Sequence, residues 1–105
     1  MVQGRRRTKD DQPSATWVFL TNHAHVLLCV ARDPEARTRD IAEQVGITER
    51  AAQRILADLI AEGYVTRTKV GRRNRYKINP RGRLRHPIFR SLAIGPLLEV
   101  LNVAK

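Results

Sequence analysis

The sequence predicts a mainly α protein with one small β-hairpin, an α+β chain. Three observations lead there. Apolar residues recur at helical spacing in three segments between Thr21 and Glu62. Each of those segments opens on a threonine suited to capping a helix and closes on proline or glycine. Directly after Gly63 the pattern changes to β-branched residues, interrupted by the turn-forming stretch "GRRN".

Taken in order, residues 1–14 are polar, carry "RRR" at 5–7 and read as a flexible basic arm. "WVFL" (Trp17 to Leu20) is either a small strand or the lead-in to a helix. Thr21 caps a first helix from Asn22 to about Asp33, with Ala24, Leu27, Leu28 and Ala31 on its buried face and Pro34 ending it. Thr38 caps a second helix whose inner side is Ile41, Ala42 and Val45, and Gly46 stops it in a left-handed conformation. Thr48 caps a third helix, Glu49 to about Glu62, lined inside by Ala52, Leu56 and Leu59 with Ile55 and Ile60 alongside. Gly63 closes it. Tyr64 to Val70 reads as a strand, Gly71 to Asn74 as a turn and Arg75 to Ile78 as the return strand. Asn79, Pro80 and Gly82 end the hairpin. His86-Pro87 then opens another helix, which Gly95-Pro96 interrupts and "LLEVL" resumes. The expected organisation is an arm (1–14), a folded domain (15–83) and a C-terminal helical segment (84–105).

Charge narrows the function. The 105-residue chain has a net charge of +10, and residues 63–90 hold ten Lys or Arg with no Asp or Glu. A one-signed block repels itself unless a polyanion neutralises it. Nucleic acid is the first such partner and an anionic membrane the second. The longest apolar run, "VLLCVA", is far too short to span a bilayer, so no membrane association is expected. No secretory pattern is visible, and Cys29, the single cysteine, allows no internal disulfide. A cytoplasmic, nucleoid-associated location is expected. His23, His25, Cys29 and His86 fall short of a zinc set, although His25 and Cys29 share a helical face at i, i+4. No metal or other cofactor is expected. No phosphate loop, nucleophile elbow or His–carboxylate signature points to an enzyme.

Two helices joined by about three or four residues with a glycine form a helix-turn-helix. In this one Ala42 permits a close crossing, Gly46 makes the turn and Ile47 tucks beneath it. The outer side of the second helix of the pair carries Thr48, Glu49, Arg50, Gln53 and Arg54. Hydrogen-bonding side chains at a helix N-terminus suit the major groove of DNA. Arginine matches guanine and glutamine matches adenine, each good pair contributing about 1–3 kcal/mol of discrimination. Arg72, Arg73 and Arg75 cluster with Asn74 at the expected hairpin tip, with Lys69 on the other strand. Such a wing suits a phosphate backbone or an adjacent minor groove. Thr38 and Arg39 open the first helix of the pair, whose backbone N–H groups suit a phosphate.

The stretch "RTRDIAEQVGITERAAQRILADLIAEGYVTRTKVGRRNRYKI" resembles the winged helix-turn-helix domain of small bacterial transcription regulators of the MarR-like and ArsR-like kind. The resemblance spans roughly residues 21–78. It rests on "DIAEQVGIT", on the run "LIAEGYV" into the strand and on the arginine-rich wing. It implies that Thr48, Arg50, Gln53, Arg54 and the wing contact DNA. The chain departs from those relatives at Ala51, where a polar residue is common. It also lacks the long first and last helices of the MarR type.

The reading that follows is a sequence-specific regulator that binds double-stranded DNA. A recognition helix (48–62) sits in the major groove and a wing (70–76) lies on the backbone or in the minor groove. A homodimer is expected, since paired domains match palindromic sites. Its interface is expected to use Phe89, Leu92, Leu97, Leu98 and Leu101 of a C-terminal segment with surplus apolar residues, together with Trp17. The alternative is an RNA-binding or protein-docking winged-helix module. RNA readers offer aromatic platforms, and this chain has two Phe, two Tyr and one Trp, none of them on the reading helix.

Overall fold

The computed structural model describes residues 17–103. The expected basic arm therefore lies outside the described residues. The order of elements is α1 (Asn22–Arg32), α2 (Thr38–Val45), α3 (Glu49–Ala61), β1 (Val65–Val70), β2 (Arg73–Ile78), a 3-10 turn at Pro87–Phe89 and α4 (Gly95–Val103). The strands form one antiparallel sheet, so the fold is the α+β winged helix-turn-helix. "WVFL" forms no strand; Trp17, Val18 and Phe19 are exposed ahead of α1.

Two helix starts follow the capping rule. The Thr21 hydroxyl accepts from the Ala24 N–H at 3.4 Å and the Thr48 hydroxyl from the Ala51 N–H at 3.0 Å. Thr38 does not cap α2. A tight turn from Asp33, closed by the Ala36 N–H on the Asp33 carbonyl at 3.0 Å, leads the chain into the helix one residue early. Arg37 takes the cap position with no side-chain acceptor, and Thr38 is the first helical residue. At the other end of α2, Gly46 adopts φ +87°, which lets the Ile47 N–H reach the Ala42 carbonyl at 3.0 Å. Ile47 then packs against the core.

Val26, Val30, Ile41 and Val65 are the largest fully buried side chains. Around them stand Leu27, Ala42, Ala52, Ile55, Leu56, Leu59 and Tyr76. Burying each aliphatic side chain of this kind contributes roughly 1.5–3 kcal/mol. The buried face of α1 is centred on Val26, Leu27 and Val30, with Ala24, Leu28 and Ala31 half-buried at its margins. The expected face was therefore rotated. α1 is packed by α2, α3, β2 and α4 together, and a stripe wrapped on several sides is wider than one helical row.

The hairpin turn is shorter than "GRRN". Val70 pairs with Arg73, leaving Gly71 and Arg72 as a two-residue turn. Of the two, only Gly71 has positive φ, the pattern of a type II′ turn. Arg73 and Asn74 are thus strand residues. Val65, Arg67 and Lys69 face Ile78, Tyr76 and Asn74 on the side that meets the helices. Thr66, Thr68 and Val70 share the outer side with Lys77, Arg75 and Arg73.

After β2 the chain closes a loop on itself. The Leu84 N–H donates to the Leu92 carbonyl at 2.9 Å and the Ile94 N–H to the Gly82 carbonyl at 2.8 Å. Gly82 lies against the ring of Tyr64, where an added Cβ would stand 2.6 Å from a ring carbon. Gly95-Pro96 does not interrupt a helix; it begins α4, because a proline is tolerated in the first turn where its missing N–H has no partner to lose. His86-Pro87 opens only one 3-10 turn. α4 packs on α1, with Ile94 and Leu98 buried in the common core. Arg32 fastens it by donating to the Leu101 carbonyl at 3.1 Å and the Asn102 side chain at 3.2 Å. Among the described residues, no helix is long and apolar enough to cross a membrane.

Candidate nucleic-acid interface

α3 buries Ala52, Ile55, Leu56 and Leu59 and turns the rest of its surface outward. Glu49, Arg50, Gln53, Arg54 and Ala57 are exposed, while Ala51 is half-buried. At 100° per residue, Arg50, Gln53, Arg54 and Ala57 fall on one stripe. Among the described residues, Arg50, Gln53 and Arg54 make no side-chain hydrogen bond, and all three are exposed. Thr48 lies at the head of this stripe, but its oxygen is already an acceptor in the cap. It retains its O–H as a donor.

The wing is arranged differently from the expected cluster of three free guanidiniums. Arg72 occupies the turn and is exposed. Arg73 donates to the Glu35 carbonyl oxygen at 2.8 Å. Arg75 reaches the Glu35 carboxylate, its Nε lying 3.0 Å from Oε2 and its terminal nitrogen contacting the same oxygen. Hydrogen bonding from Arg75, then its charge, and then the charge of Arg73 hold the Glu35 carboxyl below its ordinary pKa. The Tyr76 N–H donates to the Pro34 carbonyl at 2.8 Å. Residues 34 and 35 thus fasten β2 at three points.

That fastening sets the wing beside the start of α2. A cavity of about 330 Å³ between them is lined by Glu35, Ala36, Arg37, Thr38, Arg72, Arg73, Asn74 and Tyr76. Thr38 is half-buried in it and Arg39 is exposed nearby on the helix. The first turn of α2 has no side-chain cap, so its N–H groups are open to an outside acceptor. Lys69 pairs with Asn74 across the hairpin. The structure therefore brings Arg72, Arg73 and Asn74 together with Thr38, while no residue of α3 lines this cavity.

A family model described as the MarR family matches residues 19–75, more than half of the chain. This chain belongs to the MarR family. The match runs from the lead-in of α1 into β2, and so takes in the helix-turn-helix and most of the wing. Members of the MarR family are transcription regulators, and their winged-helix fold supports DNA binding. No curated protein matches the chain. Residues 76–105, α4 included, lie beyond the MarR-family match.

Other polar groups of this MarR-family protein serve contacts within the fold. His23 pairs with Asp58 at 2.9 Å, His25 bonds Asn22 at 3.2 Å and His86 accepts from the Ile88 N–H at 3.1 Å. Cys29 donates to the Gln44 side chain at 3.4 Å, and burial raises its thiol pKa, with Arg32 opposing. Among the described residues, no three of His, Cys, Asp and Glu stand together as metal ligands would. A larger, mostly apolar cavity of about 570 Å³ opens between α1, the end of α3 and α4, with Arg85 and Glu62 3.6 Å apart on its rim. It contains none of the residues expected to meet DNA. Two participants at the wing were not foreseen, Glu35 and Arg37. Glu35 meets Arg75 across forty residues of chain, and no local pattern encodes such a meeting.

Proposed function

We propose that this MarR-family protein is a sequence-specific regulator that reads double-stranded DNA with α3. Arg50, Gln53 and Arg54, at the N-terminal half of the helix, address base edges in the major groove. Thr48 and Glu49 flank them at the entry. Arg72, Arg73, Asn74 and Lys69 follow the phosphate backbone or the neighbouring minor groove, and Thr38 and Arg39 hold a phosphate at the start of α2. The observation that carries this reading is the exposed stripe of polar side chains on α3, unengaged among the described residues, in a family whose members bind DNA.

A homodimer places two such readers on a two-fold site. Trp17, Phe89, Leu92 and Leu97 are exposed and Leu101 is half-buried, which suits an interface. Leu98 leaves the proposed interface because it is only 8% exposed, spent on the chain's own core.

The test is selection of bound sites from random duplexes, followed by a mobility-shift titration. Arg50→Ala or Arg54→Ala should relax base preference at one position. Arg72→Ala with Arg73→Ala should weaken all sequences alike and flatten the salt dependence by about 0.9 per lost phosphate contact. Identical binding by the wild type and the fourfold alanine variant would refute the proposal.

A further inference from the structure

We infer that Glu35 is an internal competitor for DNA phosphate at the wing. Its carboxylate holds Arg75 while the protein is free, and a phosphate takes that guanidinium over when the wing meets DNA. This rests on the reading of the wing as a DNA contact.

Carboxylate and phosphate are alternative partners for the same fork of N–H donors. Glu35 offers Arg75 only one of its oxygens, Oε2, which accepts both contacts. The pair is open to solvent on both sides, with side chains 55% and 44% exposed. An exposed ion pair of this kind contributes little to stability and opens readily. Among the described residues, no other carboxylate contacts a residue of the hairpin. Glu35 also lines the cavity between Arg72, Arg73 and the uncapped start of α2. A phosphate bound there would stand beside the carboxylate whose place on Arg75 it can take.

A positioning role for the carboxylate is the competing account, and the contacts around it weigh against that account. β2 is fixed to the same turn without it. The Tyr76 N–H bonds the Pro34 carbonyl and Arg73 bonds the Glu35 carbonyl, both backbone acceptors, and the Tyr76 side chain is buried. Removing the carboxylate charge leaves these links intact. What changes is the number of cations the wing presents. With Glu35 in place, part of the wing's charge is cancelled, which lowers affinity for any phosphate backbone and leaves a larger share of binding to the bases read by α3.

The experiment compares wild type, Glu35→Gln, Arg75→Ala and the double variant on a fluorescent random-sequence duplex across a salt series. Glu35→Gln should bind severalfold tighter, and its log–log salt slope should steepen by about 0.9, one further phosphate neutralised. In the Arg75→Ala background the same change should give most of that gain back. The Arg75 Nε–H resonance gives a direct readout: it should move on Glu35→Gln and again when wild type binds DNA. Weaker or unchanged binding by Glu35→Gln, with wild type still bound, would overturn the competitor role alone. Undiminished binding by Arg72→Ala with Arg73→Ala would remove the wing reading itself, and the competitor role with it.

Discussion

Glu35 shows how a single side chain redistributes the charge of a whole hairpin. Its carboxyl is held below its ordinary pKa by the Arg75 hydrogen bond first and the Arg75 charge second, with Arg73 adding to both. A depressed folded-state pKa means the pairing is complete above the unfolded carboxylate range and is lost as pH falls through the lower folded value. The carboxyl carbon of Glu35, followed by NMR through an acid titration, should therefore show a lower midpoint in wild type than in Arg75→Ala. Coincident curves would show that the pair does not form in solution. Glu35 was not legible in the sequence, because its partner is set by tertiary approach. The outward placement of Arg50, Gln53 and Arg54 was legible, because the positions opposite Ala52, Leu56 and Leu59 on one helix are decided by a 3.6-residue period. Thr48 was legible as a cap for the same local reason, whereas Thr38 was displaced by a turn whose course depends on Asp33 and Ala36.

At the scale of elements, the helix-turn-helix and the hairpin followed directly from capping residues, glycines and the change of period. The C-terminal segment did not, because an apolar residue near the chain's end serves a core or an interface equally well on pattern alone. Its leucines divide. Leu98 is 8% exposed within the common core, while Leu92 is 62% exposed on the loop before α4. Leu98→Ala should cost about 2–5 kcal/mol in urea unfolding. Leu92→Ala should stay within about 0.5 kcal/mol in the monomer. The reverse order would mean that α4 does not sit on α1. The hairpin turn was placed two residues too long because "GRRN" is rich in turn formers, and strand pairing claimed Arg73 and Asn74 once the Val70–Arg73 register was set.

For the whole molecule, the balance of apolar and charged surface decides assembly. Trp17, Ile88, Phe89, Leu92 and Val100 are all exposed in one chain of modest size. Exposed apolar groups in such number suit the surface that the proposed homodimer would cover. Sedimentation equilibrium should give a dimer for wild type and a monomer for Leu92→Glu with Val100→Glu. A dimer that survives both changes would move the interface elsewhere. In the proposed dimer, association would also matter for the charge, since two chains of +10 each would bring their cationic faces to one duplex.

The hairpin has a consequence for how the protein behaves when crowded. β2 is shielded on its flank by the Pro34 carbonyl, whereas among the described residues no strand pairs with the other edge of β1. Along that strand stand the exposed Arg67 and Lys69, separated by Thr68. A neighbour trying to extend the ribbon would have to stack ammonium and guanidinium groups against their own kind. The cations that suit this protein to a polyanion thus also guard it against fibrous self-templating.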